Sequence, residues 1–235
     1  MAKNVVISGG SKGIGRALVF RFAAEGFNVF TYSRSKSDLE KLKSELGKKH
    51  PQIKFMYKVC DASKKISVLS FANQVKKQMK TIDVLINNVG VFLPGSILKE
   101  KDGIFETTIQ TNLESTYHLS RALIPLMIKR KKGHVFNVCS TASITAYSNG
   151  GSYCISKFGM LGFSKVLREE LKTTNIRVTS VLPGATLTES WAGTKLPNHR
   201  FMSSEDIADA IFSSYRLQSA VVEELILRPQ MGDIS

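Results

Sequence analysis

A short apolar run, Asn4-Val5-Val6-Ile7-Ser8, passes directly into Gly9-Gly10-Ser11-Lys12-Gly13-Ile14-Gly15 and then into an amphipathic stretch. Strand, glycine turn and helix in immediate succession are what a doubly wound α/β sheet needs at its first crossover. The glycines let the backbone approach a pyrophosphate, and the helix start offers free N–H groups and a positive dipole end. A dinucleotide therefore fits this turn, although the spacing Gly9-xxx-Gly13-x-Gly15 differs from GxGxxG and would also serve a plain tight turn.

The same alternation runs to the end of the chain. Apolar runs predict strands over 4–8, 28–33, 53–59, 82–87, 133–139, 176–181 and 222–228. Amphipathic stretches predict helices over 13–25, 37–47, 64–79, 102–130 with a break near its start, 151–173 and 204–215. Ser203, with Asp206 three residues on, marks the last helix start. The fold class is α/β, a parallel sheet with helices on both faces. At 235 residues with 43% hydrophobic content and no linker-like tract, the expectation is a single dinucleotide-binding and catalytic domain over 1–235.

Lys and Arg exceed Asp and Glu by 14. That surplus suits an anionic cofactor, a nucleic acid or a membrane surface alike. The chain starts almost at once with a strand and shows no signal-peptide pattern, and no window of about 18 apolar residues suggests a membrane span, so the cytosol is expected. Cys60, Cys139 and Cys154 form no CxxC pair, and the four histidines lack metal-ligand spacing. Buried free thiols and no metal are expected.

The second strand ends in Thr31-Tyr32-Ser33-Arg34, where an NAD-binding fold would place an acid on the ribose 2′-hydroxyl. Arg34 stands there instead. With Lys12 from the glycine turn it could pair with a 2′-phosphate, which points to NADPH. Far downstream, Tyr153 and Lys157 are four residues apart at a helix start, so both fall on one helix face and the ammonium favours the phenolate. A phenol of pKa near 10 becomes a usable acid or base in that setting. Ser140, ending the fifth strand, can donate a second hydrogen bond to a carbonyl oxygen.

Taken together, the glycine turn, Asn87-Asn88-Val89-Gly90, Asn112, Ser140, Tyr153-xxx-Lys157 and Pro183-Gly184 resemble the short-chain dehydrogenase/reductase family, over about residues 3–215. The similarity is to its standard single-domain branch, which includes 3-oxoacyl-carrier-protein reductases and NADPH-dependent carbonyl reductases. The resemblance implies a seven-stranded Rossmann sheet of order 3-2-1-4-5-6-7 and a homodimer or homotetramer paired through helices near 102–130 and 151–173. It also implies cofactor contacts from Gly9, Ser11, Lys12, Gly13, Ile14 and Gly15, from Asp61 and Ala62 at the adenine, and from Asn88 and Gly90 along the adenosine. Pro183, Gly184, Thr186 and Thr188 would surround the nicotinamide, and Lys157 its ribose. Asn112 would anchor a water that resupplies protons to Lys157. On local chemistry alone, Asp61 could equally cap the helix start before Ser63. Val89 departs from the family's small alanine, and 222–230 from its usual ending.

The implied function is hydride transfer from NADPH to a ketone or aldehyde, with Tyr153 as general acid. One alternative is a 3-oxoacyl-carrier-protein reductase of fatty-acid synthesis, for which Lys129 to Lys132 would supply part of a docking surface. Another is a non-catalytic cofactor sensor or nucleic-acid binder, although no aromatic residues interleave with that basic run. Neither nucleic acid nor membrane is expected as a partner. Specificity should lie in 92–97, 141–150 and 188–202. There Phe92, Tyr147, Trp191, Phe201 and Met202 favour an apolar pocket for a small uncharged carbonyl compound.

Overall fold

The computed structural model of the chain describes residues 2–234. Seven parallel strands form one sheet: β1 Asn4–Ser8, β2 Asn28–Ser33, β3 Phe55–Val59, β4 Val84–Asn87, β5 Gly133–Val138, β6 Ile176–Pro183 and β7 Glu224–Leu227. Their order is β3-β2-β1-β4-β5-β6-β7. The chain winds outward from β1 to β3, crosses back to β4 beside β1, and winds the other way. Such a reversal opens a crevice at the carboxyl ends of β1 and β4.

Side-chain alternation along the central strands builds two cores. Val5, Ile7, Val84, Ile86, Phe136 and Val138 face one side, where they meet Leu18 and Phe22 of α1 Gly13–Ala24, Leu42 of α2 Lys36–Lys49, and Phe212. Val6, Leu85 and Val135 face the other, against Phe71 of α3 Lys65–Gln78 and Leu119 and Leu167 from later helices. Strands buried on both faces in this way read as unbroken apolar runs, which is why their positions were predictable.

The long segment expected over 102–130 is continuous but not uniform. It comprises α4 Ile104–Ile109, a π-helical turn Gln110–Glu114, and α5 Ser115–Arg130. Then follow α6 Gly151–Leu171 and α7 Ser204–Arg216. The Ser203 hydroxyl does cap α7, accepting from Asp206 N at 3.0 Å.

Four strands are shorter than predicted: β5 ends one residue early, at Val138, and β3, β4 and β7 lose two or three residues, each for a local reason. A turn closed by Ile53 N on His50 O (3.3 Å) delays β3 to Phe55. Ahead of β4, the Asp83 carboxylate takes Asn4 N at 2.8 Å, and pairing with β1 begins only at Val84 opposite Val5. Beside β7, Val222 O accepts from a side chain, Thr179 Oγ1. Strand β6 is longer and runs to Pro183, which lies past the last β5 pairing at Val138 opposite Val181, so its missing N–H breaks no rung to β5.

Candidate functional site

At the sheet's reversal the glycine turn is held by polar side chains of the neighbouring strand ends bonded to main-chain atoms. Ser8 Oγ accepts from Asn88 N (2.8 Å) and Val89 N (2.9 Å), while Asn88 Nδ2 donates to Ser8 O (3.0 Å) and Gly9 O (3.2 Å). Gly10 N donates to Thr31 Oγ1 at 3.0 Å. Gly15 admits no side chain, since a Cβ there would stand 2.0 Å from Gly9 O. The result is a cradle of backbone at the start of α1, where free N–H groups collect. Val89 closes in on Gly9, whose added Cβ would meet the valine Cβ at 3.2 Å.

A cavity of about 770 Å³ runs from this cradle past the carboxyl ends of the strands. With one exception, every predicted site residue lines it, from Gly9 through Arg34, Asp61, Ala62 and Gly90 to Tyr153, Lys157 and Thr188. The exception is Asn112, buried just behind the wall in the π-helical turn. Its Oδ1 accepts from Val91 N (2.8 Å), and its Nδ2 donates to Val91 O (3.0 Å) and Ser156 Oγ (2.9 Å). The side chain therefore joins two elements with both amide protons and one Oδ1 lone pair, and π-turns often mark such functional joints.

Near Arg34, Asp61 Oδ1 accepts from Ser63 N (3.1 Å) and Ser63 Oγ (2.8 Å), while Oδ2 lies 4.0 Å from Lys64 Nζ. Partial burial opposes its ionisation, but the Ser63 bonds, with Lys64 and Arg34 nearby, outweigh it and hold the carboxyl below its usual range. Ser11 Oγ bonds Ser33 Oγ at 2.8 Å, and exposed Arg34 stands beside them. Lys12 departs from expectation. Its Nζ pairs with Glu189 at 2.7 Å and Asp38 at 3.5 Å, and the Glu189 hydrogen bond chiefly raises its pKa.

At the other end, the Lys157 side chain is buried and donates to Val138 O at 2.9 Å, with Nζ 5.7 Å from the centroid of the Tyr153 ring. Phe92 packs edge-on against Tyr153 at 4.9 Å. Ser140 Oγ accepts from Ala142 N at 3.1 Å, which leaves its proton free to be donated into the cavity. Phenol, ammonium and hydroxyl thus meet around one space. A second phenol, Tyr147, lines the same space, but burial and the neighbouring Tyr153 push its pKa upward. Cys139 is no competitor as a nucleophile: burial, only partly offset by Lys157, pushes its thiol up to about 12.

After β6 the chain makes an excursion closed at its base by Leu187 N on Met202 O (2.9 Å) and Met202 N on Ala185 O (3.0 Å). Thr186 Oγ1 bonds Gly184 O at 3.1 Å within that base. Trp191 reaches the cavity, whereas Phe201 backs it at 4.9 Å and Met202 belongs to the core, so these two do not border the space as expected. Two contributors had no sequence signal. Glu189 is an ordinary loop carboxylate until folding brings it to Lys12, and Asp233 returns from the chain's end to sit over Gly184 while paired with Arg228 Nε at 2.7 Å.

A parallel sheet reversing at a glycine cradle, with a Tyr and a Lys one helical turn apart at the cavity's far end, defines a dinucleotide-binding oxidoreductase architecture. The family described as short chain dehydrogenase matches residues 3–197, and the chain belongs to that family. A sepiapterin reductase of Chlorobaculum tepidum is 34% identical over 98% of this chain and 97% of its own. A 3-oxoacyl-[acyl-carrier-protein] reductase of Haemophilus influenzae is 31% identical over 89% and 88%. Among solved structures, an alcohol dehydrogenase of the archaeon Thermococcus sibiricus, complexed with 5-hydroxy-NADP, superposes with a TM-score of 0.92 at 25% identity, covering all of both chains. A metagenomic short-chain oxidoreductase in complex with NADP gives 0.85 at 28% identity over 97% of each. Among the described residues no helix is long and apolar enough to cross a membrane, and no group of three or more His, Cys, Asp or Glu could hold a metal.

Proposed function

We propose that this chain reduces the carbonyl of a small, uncharged ketone or aldehyde to an alcohol with NADPH. The observation that carries the reading is the single cavity that joins the glycine cradle and Arg34 at one end to Ser140, Tyr153 and Lys157 at the other. The cradle fits a pyrophosphate because the start of α1 has no side-chain cap and so keeps its backbone N–H groups free for an anion. Arg34 would take the 2′-phosphate and Asp61 Oδ2 the adenine amino group. The NADP in the solved relatives' complexes supports the choice of cofactor. When bound, NADPH supplies the hydride.

The chain's own groups then handle the oxygen and its proton. Ser140 donates a hydrogen bond to the carbonyl oxygen and orients it. Tyr153 gives its hydroxyl proton to the oxygen as negative charge develops there. Lys157, immobilised on Val138 O, stabilises the phenolate left behind. Both amide protons of Asn112 are used, so a water relaying a proton to Lys157 would have to donate to Asn112, at its main-chain carbonyl or at the second lone pair of Oδ1.

Phe92, Tyr147 and Trp191 give the substrate end three aromatic walls, which favours a flat or apolar carbonyl compound. NADPH oxidation should be followed against ketones, aldehydes, quinones, sepiapterin and 3-oxoacyl thioesters. Turnover of several small carbonyls supports the reading, and none from any of the panel overturns it. The carrier-dependent alternative rests on Lys129, Lys131 and Lys132, all exposed at the end of α5. Reversing those three charges should leave small-ketone reduction unchanged; a large rate advantage for a carrier-bound chain that vanishes on reversal would replace the small-carbonyl assignment. Exposed Phe105 on α4 and Ile155, Phe158 and Val166 on α6 support pairing of two copies through these helices, which sedimentation would test.

A further inference from the structure

We propose that Glu100 is a positioning residue for Tyr153: from the far end of the 91–100 segment it caps the first turn of α6 and so fixes where the phenol stands. The inference rests on the reading of Tyr153 as proton donor. Helix α6 begins at Gly151, and its N-cap residue Gly150 has no side chain with which to cap it. The N–H groups of the first turn would otherwise lack partners. Glu100, fifty-two residues earlier than Ser152, supplies one: Oε1 accepts from Ser152 N at 2.9 Å, and Oε2 accepts from the Ser152 hydroxyl. A carboxylate at a helix N-terminus is also favoured by the helix dipole.

The approach is built into the local sequence. A Cβ on Gly151 would stand 2.2 Å from Glu100 Oε1 and 2.7 Å from Gly95 O, so only glycine lets the carboxylate reach the turn. Gly95 N donates to Asn149 O at 3.0 Å, just before the helix, and Glu100 N donates to Ser96 O at 2.9 Å, a turn that brings the carboxylate back toward α6. At its other end the segment is pinned by both Asn112 bonds to Val91, and next to that pin Phe92 packs on the Tyr153 ring. The strap thus holds the chain just before Tyr153, at Asn149 and Ser152, and packs on the Tyr153 ring itself.

Tyr153 lies in the turn that Glu100 caps, whereas Lys157 lies one turn further in, is buried, and is anchored independently on Val138 O. Loss of the cap should therefore displace the phenol and spare the lysine. Misplacement of a reacting group by about 1 Å can cost on the order of 10²-fold in rate. Glu100→Ala should lower kcat roughly 10- to 100-fold with NADPH affinity unchanged. Glu100→Gln keeps an acceptor for Ser152 N and a partner for its hydroxyl, and should restore most of kcat.

Both variants should be assayed for kcat, for NADPH affinity by fluorescence titration, for melting temperature, and for amide hydrogen exchange across 151–157. The expected result is a kcat loss confined to the Ala variant, accompanied by faster exchange at 152–156. Normal kcat in Glu100→Ala overturns the proposal. So does a joint fall of kcat, cofactor affinity and melting temperature that Glu100→Gln fails to relieve, which would mean general destabilisation. Should the parent protein reduce no carbonyl compound, the functional reading fails, and the exchange rates still decide whether Glu100 holds the turn.

Discussion

The two ends of the cavity share the carboxyl edge of the sheet but are held by different means. At the glycine end, the ends of β1, β2 and β4 fix one another through short bonds among Ser8, Gly9, Gly10, Thr31 and Asn88, almost all to main-chain atoms. At the Tyr153 end, the walls come from 91–100, from the loop before α6, from the excursion after β6 and from the chain's last residues. Each of these is tied at only a few points: Glu100 on Ser152, Leu187 and Met202 on each other, Asp233 on Arg228. The lesson is a division of labour. One end is a fixed backbone mould, while the other is a set of tethered loops whose side chains can change without disturbing the sheet.

The largest effect should come from the group through which the loop end does its chemistry. Tyr153→Phe keeps the ring and its contact with Phe92 but removes the proton, so turnover should fall by about 10²–10⁴ while NADPH still binds. Lys157→Ala should damage both. Stopped-flow turnover beside a fluorescence titration checks this, and near-normal turnover in the Phe variant would move the proton donor elsewhere, with Tyr147 the next phenol to test.

The mould end is probed by Arg34. A lost charge-assisted hydrogen bond costs about 1.5–3 kcal/mol, so Arg34→Ala should weaken NADPH roughly 10- to 150-fold and NADH little. Equal affinity for the two cofactors in the parent would remove the reason for invoking a 2′-phosphate. A matched pair of substitutions then tests the division itself. Gly15→Ala forces a methyl against a main-chain carbonyl that cannot step aside, and overpacking of that kind costs about 1–3 kcal/mol of stability. Trp191→Leu alters a loop wall and should stay within about 0.5 kcal/mol. Denaturation midpoints showing the reverse order would break the comparison.

The same division explains what could be read in the sequence. The mould was legible because its residues are dictated locally: buried parallel strands need unbroken apolar runs, and a pyrophosphate-sized turn needs glycine. Tyr153, Lys157 and Ser140 were legible because one helical turn or one strand end fixes their placement. The family's pattern brought in Asn112, but not the three bonds that tie its side chain to Val91 and Ser156. Glu100, Glu189 and Asp233 were invisible, since an acidic residue in a loop carries no mark of the partner it meets on folding. Phe201 and Met202 were misplaced for the complementary reason: in a non-periodic segment, hydrophobicity does not say whether a side chain faces the cavity or the core.

The smallest expected effect lies where the two ends touch. Lys12 belongs to the glycine turn and Glu189 to the excursion after β6, and their bond at 2.7 Å links the mould to a loop. Both side chains are at least half exposed, and exposed ion pairs contribute little. Glu189→Gln should therefore change cofactor affinity by about fivefold or less, and the sign is informative. With one carboxylate gone, Lys12 keeps only Asp38 at 3.5 Å and is freer to meet a phosphate. If its target is the 2′-phosphate, NADPH should bind slightly tighter while NADH does not change, and the gain should shrink as salt is raised. Equal weakening of both cofactors would mean that Glu189 acts as a latch holding the excursion against the mould. The loop end would then share in holding the cofactor, and the boundary between the two halves would have to be drawn beyond Trp191.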